Sequence, residues 1–93
     1  MTLTADSISW NKAYEHTVDL TFHTNDAGVG GRYYVTWVKK SDSTPGFEAV
    51  KSNYKSSGDI ASSASVQLTD VAYDTAIKVV VYAEDSKGLE AVA

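Results

Sequence analysis

Any chemistry in this chain falls to histidines, carboxylates and tyrosines, because it contains no cysteine. Thiol nucleophiles, disulfides and thiolate zinc sites are excluded on that count. The two histidines, His16 and His23, stand seven positions apart. An odd separation puts them on opposite faces of a regular strand, so a shared metal ion is not expected. No serine sits in a Gly-x-Ser-x-Gly turn and neither histidine has a recognisable partner, so the sequence holds no pattern for nucleophilic hydrolysis. The carboxylates of Asp26, Glu84 and Asp85 fall in two turns that share one end of a two-sheet sandwich. With loop carbonyls they make a candidate calcium site through oxygen ligands, the only cofactor the chain suggests. The competing role is turn formation, in which an acidic side chain bonds its local backbone. Asp70 and Asp74 suit that role, and no Asp-x-Asp-x-Asp-Gly spacing occurs.

Six tyrosines offer a different kind of chemistry. Tyr34, Val38, Val80 and Tyr82 fall on the outward faces of two strands expected to pair. Together they would form an apolar patch rimmed by Lys40, Lys78 and Glu84. Exposed patches of this kind mark interfaces, where tyrosine is enriched. Three occupants fit: a partner protein, a sugar ring stacked on Tyr34, Tyr82 or Tyr54, or the domain itself, through the next residues along the chain or the 52–63 crossing.

The elements that must position these residues are read from period-two alternation. Thr2 to Trp10 forms a first strand, with Leu3 out of phase with Ile8 and Trp10. That phase change predicts a bulge or a switch between sheets near Ala5-Asp6. Asn11-Lys12-Ala13 turns the chain into a second strand, where Val18, Leu20 and Phe22 alternate with polar neighbours. A loop with three glycines follows over 25–31, tolerant of positive φ. Arg32 to Lys39 is the third strand, with Tyr33, Val35 and Trp37 on one face and Tyr34, Thr36 and Val38 on the other. Pro45-Gly46 suits a type II turn, Phe47 to Lys51 a short edge strand, and Ser52 to Ser63 a long crossing with Tyr54 and Ile60 as anchors. Ala64 to Thr69 and Ala76 to Glu84 are further strands. Asp85-Ser86-Lys87-Gly88 closes a hairpin onto a last strand, Leu89 to Ala93. The expected fold class is therefore all-β: a seven-stranded antiparallel sandwich spanning 1–93 as a single domain. Its core is expected to hold Ile8, Trp10, Val18, Leu20, Phe22, Tyr33, Val35, Trp37, Val66, Leu68, Ile77, Val79 and Val81. Burial of each contributes about 1.5–3 kcal/mol before entropy.

Composition narrows the partners. The 93 residues are 43% hydrophobic and 22% charged, with a formal net charge of −4. Eight Lys and Arg, mostly scattered, give no footprint for nucleic acid. The same balance disfavours an anionic membrane surface, and no apolar run approaches a membrane span. The first residues lack the basic start and apolar stretch of a signal peptide, so the chain is expected to be an excised domain with an initiator Met. Absence of cysteine and of an Asn-x-Ser/Thr sequon tilts the source towards a bacterial or intracellular one.

Leu68, Val71, Thr75, Val79, Val81 and Ala83 carry a family resemblance. A Leu before a corner, then a Thr opening a strand of alternating apolar residues, resembles the fibronectin type III pattern of immunoglobulin-like domains. Tyr73 stands where that pattern has its corner proline, and Ile77 where it has its strand tyrosine, so the tyrosine corner is missing. Val81 to Gly88 is also similar to the final hairpin of bacterial immunoglobulin-like repeats. The match covers the last third of the chain, and elsewhere only strand order. No Arg-Gly-Asp tripeptide is present; Gly58-Asp59 follows Ser57. The resemblance implies a non-catalytic extracellular or cell-surface module, a spacer or adhesion unit contacting protein or neighbouring domains of a larger chain. The alternative is a carbohydrate-binding accessory module of a secreted glycoside-active enzyme.

Overall fold

The structure, a computed structural model, describes residues 3–24, 31–59, 63–72, 75–84 and the backbone of 89–92. It is built of antiparallel strands in two sheets. β1 (Leu3–Trp10), β2 (Val18–Thr24) and β5 (Ser63–Leu68) form one sheet in the order β1-β2-β5. β3 (Arg32–Lys39), β4 (Ser56–Asp59), β6 (Ile77–Ala83) and β7 (Leu89–Val92) form the other, in the order β4-β3-β6-β7. A single helix among the described residues, α1 (Phe47–Ser52), lies between β3 and β4 in sequence.

The phase change in β1 is a real bulge: its register against β2 shifts between Ala5 and Ser7. Leu3 and Ala5 follow one period of two, Ile8 and Trp10 another, and Asp6 is the extra residue between them. Ladder partners then share faces across the whole sheet. Trp10, Val18 and Leu68 form one inward rung, and Ile8, Leu20 and Val66 the next. The facing sheet contributes Val35, Ile77, Val79, Val81 and Ala83, all buried in the same cluster with Leu3 and Val71. Ile8, Trp10, Tyr33 and Trp37 pack against that cluster half-buried. Between the layers, the rings of Phe22 and Tyr33 meet edge to face at 5.3 Å, a geometry the ring quadrupoles favour.

Two expectations about the middle of the chain are corrected. Residues 47–51 are not a strand but the body of α1. Phe47 and Val50, three apart, present one apolar face, while Glu48 in the first turn and Lys51 in the last complement the helix dipole. Pro45-Gly46 is not a type II turn either, since Gly46 has φ −81° and ψ 173° and caps the helix N-terminus. The turn lies earlier, where the Asp42 amide donates to the Lys39 carbonyl at 2.9 Å. Part of the expected 52–63 crossing is in fact β4, paired with β3 from Arg32↔Asp59 to Val35↔Ser56. A Cβ at Gly58 would lie 2.5–2.8 Å from the Tyr33 phenol, whose ring lies over the glycine, so any larger residue there must displace that ring. Arg32 fastens the same edge by donating to Asp59 at 3.2 Å and Ser57 at 2.9 Å.

At one end of the strands, the turn before β2 is clasped to the corner after β5. The Val71 amide donates to the His16 carbonyl at 2.9 Å. The His16 ring returns a bond through Nδ1 to the Val71 carbonyl, also at 2.9 Å. A carbonyl only accepts, so Nδ1 carries the proton. His16 and Asp70 take the left-handed conformation there, with φ 56° and 58°.

Candidate interaction faces

The patch predicted from Tyr34, Val38, Val80 and Tyr82 lies together on the outer face of β3 and β6, as Tyr34↔Tyr82, Thr36↔Val80 and Val38↔Lys78 pairs. It is not open. Tyr34 is 7% exposed and Val80 1%, while Val38 and Tyr82 are half-buried. The expectation of an uncovered tyrosine surface is corrected by α1, which lays Phe47 and the fully buried Val50 over it. Of the two covers the chain itself could supply, the residues that follow β3, 44–51, lie over the face, with Tyr54 of the 52–63 segment against Tyr34 at 5.5 Å.

The covering segment is fastened at three places along its length. Lys78, itself buried, donates through Nζ to Thr44 Oγ1 at 2.9 Å. The Tyr82 hydroxyl donates to the Pro45 carbonyl at 2.8 Å. At the far end, Glu84 Oε1 accepts from the Tyr34 hydroxyl at 3.1 Å and pairs with Lys51 Nζ at 3.3 Å. Rings fill the space between: Tyr34 meets Phe47 at 6.3 Å and Tyr54 at 5.5 Å, and Phe47 meets Tyr82 at 5.9 Å. Lys51 Nζ also lies 5.7 Å from the Phe47 ring centre, a cation–π contact.

These contacts set the local protonation. The hydrogen bond from Tyr34, reinforced by Lys51, holds the Glu84 carboxyl below the usual glutamate range. Burial and the neighbouring carboxylate push the Tyr34 phenol up, and the bond to Glu84 raises Lys51. All three shifts favour a neutral phenol beside a carboxylate–ammonium pair at neutral pH, which clamps α1 to the sheet.

Of the proposed calcium ligands, Asp26 and Asp85 lie outside the described residues, as do Tyr73, Asp74, Ile60 and the 85–88 hairpin. Glu84 is described, and its Oε1 is engaged with Tyr34 and Lys51. Among the described residues no three His, Asp or Glu side chains converge. His23 lies on the outer face of the three-stranded sheet, its Nδ1 2.7 Å from Asp6 Oδ1 at the bulge, whereas His16 belongs to the clasp at the start of β2.

The outer face of the three-stranded sheet is polar throughout. Its rungs are Ser9–Asp19–Gln67, Ser7–Thr21–Ser65 and Thr4–His23–Ser63. Ser7 and Thr21 hydroxyls bond at 2.6 Å, and Gln67 donates to Asp19 at 3.2 Å.

A further surface feature has no counterpart in the strand alternation. The turn between β1 and β2 frames a groove of about 360 Å³ lined by Trp10, Lys12, Tyr14, Glu15 and His16 among others. Tyr14 is 65% exposed and Tyr54 48%, the exposed large hydrophobics of the described residues. The signal available was Asn11, three residues before an aromatic in a turn. Its Oδ1 accepts from the Ala13 and Tyr14 amides at 2.7 and 3.0 Å, fixing where Tyr14 stands.

Comparison with protein-family models, curated proteins and solved structures finds no match to this chain.

Proposed function

We propose that this chain is a non-catalytic module of immunoglobulin-like, fibronectin type III-like topology. It acts as an extracellular spacer or protein-interaction unit within a larger polypeptide. The observation that carries this reading is where the chain enters and leaves the sandwich. β1 begins beside the end of β2, at Leu3↔Thr24. β7 ends beside the start of β6, at Lys78↔Val92, and Trp37, paired with Val79 near that start, lines one cavity with Leu68, the partner of Val18 at the start of β2. The first and last strands therefore open at opposite ends of a body measuring 38 × 26 × 17 Å, which allows modules to be strung in line.

Strand order supports the topology assignment: β1-β2-β5 facing β4-β3-β6-β7 is compatible with that sandwich class. Sandwiches serve many purposes, so the fold alone assigns no ligand. Of the three platforms of the glycan-binding alternative, Tyr34 and Tyr82 lie under α1, while Tyr54 is 48% exposed. The test is a direct fusion of two copies measured by small-angle scattering. A rod with a maximum dimension of about twice the 38 Å axis supports an in-line spacer. A compact particle folded back on itself overturns it.

A further inference from the structure

We propose that the groove along the β1–β2 turn binds a neutral carbohydrate, with the Tyr14 ring as the platform on which a sugar stacks. This goes beyond the spacer reading, which needs no ligand. A pyranose has an apolar C–H face and a rim of hydroxyls, so its site needs an exposed aromatic face beside polar side chains. Tyr14 supplies the first, being 65% exposed, in a groove whose wall includes Trp10. Covering such a ring removes apolar surface from water, while its hydroxyl keeps a polar contact. Lys12 and Glu15 supply the second within the same groove.

Charge selects among ligands. Lys12 and Glu15 cancel formally, and the chain as a whole carries −4, so a polyanionic ligand gains nothing here. Size selects too: about 360 Å³ falls in the small-molecule range of roughly 300–1,000 Å³, which fits one or a few sugar units.

The turn is set before any ligand arrives. Asn11 Oδ1 accepts from Ala13 and Tyr14 amides, its Nδ2 donates to Asp19 Oδ2 at 2.9 Å, and its own amide donates to the Thr17 carbonyl at 2.8 Å. Thr17 Oγ1 donates to the Glu15 carbonyl at 3.1 Å. The His16–Val71 clasp ties this turn to the next corner. A turn already ordered in this way loses little freedom on binding, which is how weak single contacts become measurable affinity.

The test is affinity electrophoresis in gels containing laminarin, xylan, mannan or dextran, followed by calorimetric titration with oligosaccharides of the polysaccharide that retards the protein. Tyr14→Ala should weaken binding at least about tenfold, as truncation of a central contact does, with an unchanged melting midpoint because the ring is exposed. Tyr14→Phe should keep binding, since the stacking face remains, and Tyr54→Ala should leave it unaltered. Retardation by none of the four polysaccharides overturns the proposal, as does retardation that survives Tyr14→Ala. Concentration-dependent self-association lost in Tyr14→Ala also overturns it and assigns the groove to a second copy of the chain.

Discussion

On the outside of the three-stranded sheet Ser7 bonds Thr21 and Gln67 bonds Asp19 in contact with solvent; on the outside of the four-stranded sheet Tyr34 and Val80 lie sealed beneath Phe47 and Val50. Both faces belong to strands with the same period of two, so the backbone does not distinguish them. Side chains do. A face of hydroxyls and amides is solvated as it stands, and ordering a segment over it would return nothing for the entropy lost. A face bearing two tyrosines and a valine returns enough apolar burial to order a short helix that would be marginal alone. The connection from β3 to β4 is thus long and structured because of what β3 and β6 present outward.

The sharpest way to break this contrast is to truncate its centre. Tyr34→Ala removes a buried ring touching Phe47 and Tyr54 and the hydroxyl bonded to Glu84. Large aromatic truncations in cores cost about 3–5 kcal/mol, and chemical denaturation should show a loss in that range. A loss under 1 kcal/mol, roughly what surface sites give, would mean that α1 is not packed as described. Next in size is Gly58→Ala on the β4 edge. Its new Cβ would meet the Tyr33 ring at 2.5–2.8 Å, and overpacking of this kind costs about 1–3 kcal/mol. If the variant is as stable as the parent, Tyr33 is free to move and β4 is not held by it.

The Glu84 clamp gives a pH-dependent probe of the same cover. Its carboxyl is held below the usual range by Tyr34 and Lys51, so the unfolded chain takes up the proton first as pH falls. The contribution is fully present above the ordinary glutamate value of about 4.3 and is lost as pH drops through the lower folded value. Lys51 and Tyr34, both raised, work in the other direction. Their contributions hold below the ordinary lysine and tyrosine ranges and fade as alkaline pH passes through the raised values. Melting curves of Glu84→Gln against the parent should differ at pH 7 and converge in acid. A difference that persists unchanged down to the most acid pH at which the parent still folds would assign it to packing and not to the charge.

What the sequence disclosed follows the same division. Val18, Leu20 and Phe22 announce β2 because each is large, apolar and two apart, and the phase slip between Leu3 and Ile8 discloses the bulge at Asp6. The inward set on β3 and β6 is legible for the same reason. Residues 47–51 are not, because a five-residue run with Phe47 and Val50 three apart fits either period until the sheet beneath decides. β4 has no apolar alternation at all: Ser56-Ser57-Gly58-Asp59 pairs because Tyr33 covers Gly58 and Arg32 bonds its neighbours, contacts that are distant in sequence. The outward direction of Tyr34 is legible in the alternation of β3, whereas the identity of its cover is not, because 47–51 reads as a strand until the face beneath it is known. Tyr14 is not legible in the pattern because its position is set by the Asn11 side chain and not by any alternation.

The smallest effect is expected on the polar face, and it is the control that gives the contrast meaning. Thr21 occupies the centre of β2, flanked by Ser7 and Ser65 in its rung, as Tyr34 on β3 is flanked by Ser57 and Tyr82. Thr21→Ala removes one exposed hydroxyl bond to Ser7 and leaves Ser7 to water, which replaces the partner. The strand also loses a β-branched side chain, a small penalty on a half-buried surface. Together these should stay within about 0.5 kcal/mol, the usual range for surface substitutions, in the same denaturation experiment used for Tyr34→Ala. A loss approaching that of Tyr34→Ala would show that the face is part of a bonded network whose members cannot be replaced by water, and the two outer surfaces would then differ in chemistry but not in structural weight.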